Sequence, residues 1–404
     1  MTPTGAITPP AWMTEPATRQ VLDALMRLGP PARFVGGAVR DAVLGRAVTD
    51  IDIATPLPPE DAARALAAAG IKVVPTGLDH GTVTAVTATR HVEITTLRRD
   101  VETFGRRARV AYTGDWTADA LRRDFTINAL FADADGTLYD PTGDGLADLR
   151  AGRVRFIGDP AQRIAEDYLR LLRFFRFHAV YGTGAPDAAA LDAAAAAAAR
   201  LEALSPERIW AELKRLLRAP APAPLVQLMA ARGILPHVLP TPADVDALAR
   251  LIAVERGTPP DALRRLAALL ATRAAVEPTV ARLRLSKAEG NTLAAILDAV
   301  AMIDQPACRL VRRFGRAAAH DAARLAEARG LAPTAAAAIA RALDAWVDTP
   351  LPITGDDVLA LGVAPGRAVG ALLDQLAAWW EEQDCAADRA ACLVRLQALA
   401  RERR

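Results

Sequence analysis

FVGGAVRDAVLGRAVTDIDIAT, residues 34–55, is the stretch on which the fold turns. A short β-like run through Phe34 and Val35 ends in Gly36-Gly37, and helix-favouring residues follow at once. Two glycines let backbone approach a triphosphate closely, and a helix opening behind them presents free N–H groups to it. Arg40 lies in the first turn of that helix, within reach of phosphate. Further on, Thr49-Asp50-Ile51-Asp52-Ile53-Ala54-Thr55 alternates as a strand does, so Asp50 and Asp52 face one side while Ile51 and Ile53 face the core. Two like charges so close repel unless a cation joins them, and hard Mg²⁺ prefers carboxylate oxygen. A bare Asp-x-Asp is as well explained by a turn or a solvated strand edge. The Gly-Gly turn and helix ahead of it make the pair a metal-dependent triphosphate site.

Three further segments extend this reading. TVTAVTA (82–88) and HVEITTL (91–97), with Thr89-Arg90 between them, read as a hairpin. Val92 and Ile94 would face the core and leave Glu93 on the polar face, either as a third carboxylate of the site or as an ordinary solvent-facing residue. LRRDFTINAL (121–130) alternates at Phe125, Ile127 and Ala129 like a strand, with Arg122-Arg123 at its entrance. An Arg pair suits phosphate; the alternative is a solvated pair bridged to Asp124. AEDYLRLLRFFRFHAV (165–180) is helical and sets Asp167, Arg170 and Arg173 on one face, with Arg176 toward its margin. A carboxylate accepts from the amino group of cytosine or adenine, and Arg donates to ring nitrogen or carbonyl positions. Standing alone, the same helix would read as a salt-bridged surface.

The rest of the chain frames these segments. Its 404 residues exceed one ordinary compact core, and an apolar fraction of 52% against 24% charged is globular rather than disordered. Strand-like and helical runs interleave up to about residue 153, and helical periodicity alone follows from Asp159. Residues 1–16, rich in Thr and Pro, read as a loose arm before a helix from Thr18 to Leu28. DAAALDAAAAAAARLEAL (187–204) reads as a solvated or loosely packed helix. The cations are nearly all Arg, with Lys only at 72, 214 and 287, which suits phosphate but equally follows from GC-rich codons. A net charge of +2 neither demands nor excludes nucleic acid. Three Cys form neither a disulfide framework nor a zinc pair and fit a reducing cytoplasm. No signal peptide and no membrane span is visible.

Together these segments resemble the class II tRNA nucleotidyltransferase and bacterial poly(A) polymerase family of the polymerase-beta superfamily. The matching stretches are VGGAVRDAVLGRAVTDIDIAT, VEITTLRRD, LRRDFTINAL, YDPTGDGLADLRAGRVRFIGDP, EDYLRLLRFFRF and LSPERIWAELKRLL. The resemblance implies an α+β fold: a polymerase-beta-like head with a mixed sheet (17–153), a helical neck that selects the nucleotide (154–218), and a helical body and tail that bind tRNA (219–404). It implies that Asp50 and Asp52 are catalytic and hold Mg²⁺, with Glu93 a candidate third catalytic carboxylate. Gly36, Gly37, Arg40 and Arg123 would contact the triphosphate. Asp167 and Arg170 would pair with the edge of CTP or ATP, and Arg173 and Arg176 match further nucleotide contacts.

The family divides into full CCA addition, partial addition and poly(A) tailing. A long polar segment, RRDVETFGRRARVAYTGDWTADA (98–120), sits where CC-adding members lack a flexible loop. No basic, Phe-containing strand motif of the poly(A) kind occurs around TATRHVEITTLRRD. Full CCA addition is therefore expected, with poly(A) polymerase or an A-adding enzyme as the enzymatic alternative and an inactive RNA-binding relative as the non-enzymatic one. Some members carry a His and His-Asp phosphohydrolase domain; His320-Asp321 lacks the accompanying His set and reads as ordinary helix. Arg264-Arg265, Arg282/Arg284/Lys287 and Arg309/Arg312/Arg313/Arg316 are basic faces, each either RNA contact or plain solvated surface.

Overall fold

The computed structural model describes residues 1–77, 81–104, 107–255 and 257–402, with the side chains of 100–110 excepted. His80 lies outside them. The chain divides into two compact units, Met1–Leu216 with Arg232–His237, and Leu217–Ala231 with Val238–Arg404.

Among the described residues the first unit has ten strands: β1 (Gly5–Ala6), β2 (Arg33–Val35), β3 (Ile51–Thr55), β4 (Lys72–Gly77), β5 (Thr82–Val86), β6 (His91–Thr96), β7 (Arg98–Phe104), β8 (Arg107–Tyr112), β9 (Phe131–Ala132) and β10 (Thr137–Tyr139). Eight of them form one sheet in the order β1-β10-β9-β2-β3-β6-β5-β4, while β7 and β8 pair separately. β5 and β6 are the expected hairpin. All pairs are antiparallel except β3 with β6, which makes the sheet mixed. In that parallel pair Asp52 lies in register with Glu93. Side chains in register on neighbouring strands share a face, so both carboxylates stand on one side. Ile51, Ile53, Val92 and Ile94 are buried on the other, and the helix Pro59–Ala68 packs on β4, β5 and β6.

The N-terminal residues are not a loose arm. β1 extends the sheet beside β10, and Trp12 and Met13 are buried, Trp12 lying edge-on to Phe34 at 4.8 Å. The expected strand through Phe125, Ile127 and Ala129 is also absent. Thr126–Asn128 is one 3-10 turn, because Phe125 bridges only to Phe156 and packs into an aromatic cluster. Its ring lies 4.8 Å from that of Phe156 and 5.0 Å from that of Phe177. Of the Ala-rich stretch, Ala188–Ala197 is helical and then tightens to a 3-10 turn, with Ala190, Leu191, Ala194, Ala198 and Leu201 buried rather than solvated.

The second unit is helical, and no strand follows Tyr139 among the described residues. Arg264 and Arg265 are not a surface there. Both are buried, each bonded to the buried Glu255, with Arg264 also on Asp321 and Arg265 on the carbonyls of Leu217 and Ala219. His320 neighbours this network as an ordinary helix residue of Arg316–Ala328. The cysteines also depart from expectation: Cys308 and Cys385 form a disulfide with Cα atoms 5.8 Å apart. Residues 77 positions apart carry no pairing signal in sequence. Cys392 is a free, buried thiol in the same apolar cluster, around Trp380. No described helix is long and apolar enough to cross a membrane.

Candidate active site

Gly36 has φ +67°, a conformation that costs glycine little and other residues more. It lets β2 turn directly into the helix Gly37–Val43. A Cβ at Gly36 would stand 3.4 Å from Arg123 Nη1, so glycine also admits that guanidinium to the turn. The Arg pair is set by Asp119, one turn earlier on the helix Trp116–Leu121. Arg122 Nη2 and Arg123 Nη2 reach its two oxygens at 2.7 and 2.8 Å. Burial acts to raise the Asp119 carboxyl, but the two guanidinium groups outweigh it and hold it below the ordinary carboxylate range. The same burial lowers Arg122 to about 10. Asp124, the partner weighed from sequence, instead binds Arg173.

The helix expected over 165–180 is broken at its most important residue. Pro160–Glu166 stops, Asp167 takes extended backbone (φ −151°, ψ 106°), and Leu169–Tyr181 begins afresh. Asp167 Oδ1 accepts from the Leu169 N–H at 3.1 Å and the Asp167 carbonyl from the Arg170 N–H at 2.9 Å. Asp side chains favour such helix-start bonds over the helix interior. Asp167 therefore precedes the helix that carries Arg170, Arg173 and Arg176, instead of sharing its face. Arg208, from the helix Pro206–Leu217, holds Asp167 Oδ2 at 2.7 Å.

Charges around these residues are paired throughout. Arg170 bonds to Glu166 and to the Arg163 carbonyl. Arg173 Nε reaches Asp124 Oδ2 at 2.7 Å, and Arg176 Nε reaches the buried Glu212 at 2.6 Å. Burial works to raise the Asp124 carboxyl, but Arg173 and the Asn128 amide overcome it and hold it low. Asp52 differs. Burial first and Glu93 second, helped by Asp50 and opposed by Arg123, push its pKa up to about 6.

One cavity of about 490 Å³ is lined by Gly36, Gly37, Arg40, Asp52, Arg123, Asp167, Arg170, Arg173 and Arg176. Residues spread over 141 positions of sequence thus meet in one place. Asp50 and Glu93 do not line it. Among the described residues no three His, Cys, Asp or Glu side chains enclose a metal position. Residues 32–155 match the Poly A polymerase head domain, and residues 186–245 the probable RNA and SrmB-binding site of polymerase A. The chain is 37% identical over 361 residues to mouse mitochondrial CCA tRNA nucleotidyltransferase 1, covering 87% of this chain and 82% of that one.

The chain belongs to the CCA-adding tRNA nucleotidyltransferase family. A CCA-adding enzyme of Levilactobacillus brevis is 33% identical over 377 residues, 89% of this chain and 91% of that one. The crystal structure of the Bacillus stearothermophilus CCA-adding enzyme in complex with CTP superimposes with a TM-score of 0.78 at 28% identity. It covers 96% of this chain and 99% of that one. Within this family member, sequence reasoning missed Asp119, Asn128, Arg208 and Glu212. Asp119 had a local sign, its i, i+3 and i, i+4 spacing to Arg122 and Arg123. Glu212 and Arg208 lie in LSPERIWAELKRLL, a stretch that carried the resemblance but gave no sign of their partners, since they meet Arg176 and Asp167 from 36 and 41 residues away.

Proposed function

We propose that this chain adds C, C and A to the 3′ ends of tRNA, using CTP and ATP and no nucleic-acid template. The observation that carries the proposal is the shared cavity, which is lined by the Gly36-Gly37 turn, Asp52, Asp167 and Arg170 together. In this reading the tRNA 3′-hydroxyl attacks the α-phosphorus in line. The new O–P bond forms as the α–β phosphoanhydride breaks, and pyrophosphate leaves with the electron pair. Gly36 and Gly37 admit the triphosphate close to backbone, Arg123 faces its charge, and Asp167 and Arg170 read the base edge.

Asp50 and Asp52, with Glu93 as a third carboxylate, are the residues that would hold Mg²⁺. The raised Asp52 pKa supports this, because a carboxyl crowded by two others in a buried place gains most from a cation. Bound there, Mg²⁺ would ease deprotonation of the attacking hydroxyl and steady the leaving pyrophosphate. The chain's own residues supply the position and the negative charge.

Incubating tRNA that ends before CCA, after C and after CC, with CTP or ATP supplied separately, tests the proposal. Addition of two C and then one A supports it. Long A tails would instead make this a poly(A) polymerase, and no incorporation would leave an RNA-binding relative. Asp50→Ala and Asp52→Ala each lose incorporation while retaining tRNA binding; a near-normal rate in either removes that residue from the metal site.

A further inference from the structure

Arg40 sits at the triphosphate end of the cavity, yet its side chain is largely spent on the protein. It is 7% exposed. Nε and Nη2 bond both oxygens of Asp41 at 3.1 Å, Nη1 donates to Asn128 Oδ1 at 2.6 Å, and Nη2 donates to Tyr181 Oη at 2.6 Å. A guanidinium has five N–H donors, so these four bonds leave one donor, on Nη1, for a ligand. The direction of that donor is fixed by whatever fixes the plane of the group.

Tyr181 is well placed to fix it. It is the last residue of the helix Leu169–Tyr181, the same helix that carries Arg170, Arg173 and Arg176. Its ring lies 4.1 Å from Arg40 Cζ and 4.7 Å from Arg46 Cζ, and stacks on Phe177 at 5.8 Å. Arg46 also donates to the neighbouring Val180 carbonyl at 3.2 Å. One aromatic ring is thus held by two arginines, Arg40 within the helix Gly37–Val43 and Arg46 just beyond it, while its hydroxyl takes a charge-assisted bond from Arg40. Such bonds are short and directional. Asn128 continues the link, donating from Nδ2 to Asp124, which in turn binds Arg173.

We infer that Tyr181 is a positioning residue for nucleotide binding: its hydroxyl sets the plane of Arg40 and so aims the remaining Arg40 donor at the triphosphate. The inference rests on the reading of the Gly36–Arg40 turn as the triphosphate end. It concerns phosphate and not base, so it applies equally to CTP and ATP.

Tyr181→Phe removes the hydroxyl and keeps the ring, its stack and both cation–π contacts. The expected result is a rise of about fivefold to twentyfold in the Kd of both CTP and ATP, measured by equilibrium binding to the full chain without tRNA, which spans the upper end for an ordinary hydrogen bond and the lower end for one to a charged group. KM for both nucleotides rises in parallel, kcat changes less than about twofold, as for loss of uniform binding, and the choice between C and A is unchanged. In an Arg40→Ala background the Tyr181→Phe change adds nothing to the nucleotide Kd, because the guanidinium that the hydroxyl orients is gone. Unchanged Kd values, a selective loss of one nucleotide, or an equal effect in both backgrounds would each overturn the inference. Wild-type protein that binds both nucleotides but extends no tRNA would instead count against the proposed reaction, and leaves the Kd comparison valid.

Discussion

Asp52 keeps its proton up to about pH 6 in the folded chain, against 3.8 for an ordinary Asp. Between those values the native state binds more protons than the unfolded state, so stability falls as pH rises through the window. The contribution is fullest below about pH 4, and at neutral pH the ionised carboxylate costs roughly 3 kcal/mol. A divalent cation offsets that cost only where the group is ionised. MgCl₂ is therefore expected to raise the thermal midpoint at about pH 7.5, and by less than half as much at about pH 5. Asp52→Asn should raise the metal-free midpoint at neutral pH while abolishing incorporation. A Mg²⁺ response that ignores pH, or that survives in Asp52→Asn, would remove Asp52 from the metal site. Asp167 invites a different experiment. Its side chain and that of Arg208 are each 25% exposed, and in the proposed role the base edge would compete with Arg208 for the carboxylate. Arg208→Ala frees the carboxylate and lets it turn, so misincorporation of the wrong nucleotide should rise by about tenfold, a change worth ~1.4 kcal/mol. Faithful addition by Arg208→Ala would show that Arg208 does not hold the reader.

Elements were legible where their cause is local. The Gly36-Gly37 turn, the alternation through Asp52 and the hairpin of β5 and β6 follow from residue order alone, and all three stand in the structure. The element after Arg123 was not legible, because its alternation is real but its purpose is aromatic packing. Phe125 fits between Phe156 and Phe177, and no neighbouring strand is available to it beyond one bridge. Phe125→Ala should lower unfolding free energy by about 3–5 kcal/mol, the range for a buried Phe, in urea denaturation. A loss below about 1 kcal/mol would mean the cluster collapses around the gap. The break at Asp167 was equally hidden. Glu166, Tyr168 and Leu169 favour helix well enough to mask it, and only the capping bonds reveal that a new helix starts there.

At the scale of the whole molecule, the sequence read the second unit's helices but not their interior. Arg264-Arg265 looks like a basic face until Glu255, nine and ten residues earlier, closes on both. Glu255→Gln leaves Arg264 with Asp321 alone and the buried Arg265 with backbone carbonyls only, and breaking a buried pair costs about 3–5 kcal/mol. A denaturation midpoint unchanged by that substitution would mean water reaches the network. The three cysteines were read as unrelated because their spacing says nothing, yet all lie about Trp380. In denaturant without reductant, one thiol, Cys392, should react with an alkylating reagent, and all three after reduction; three reactive thiols beforehand would exclude the bond. The cross-link has one more consequence. A protease that cuts once between Arg309 and Asp384 severs the backbone but not the molecule, and the product runs as a single band until a reductant parts it into two fragments.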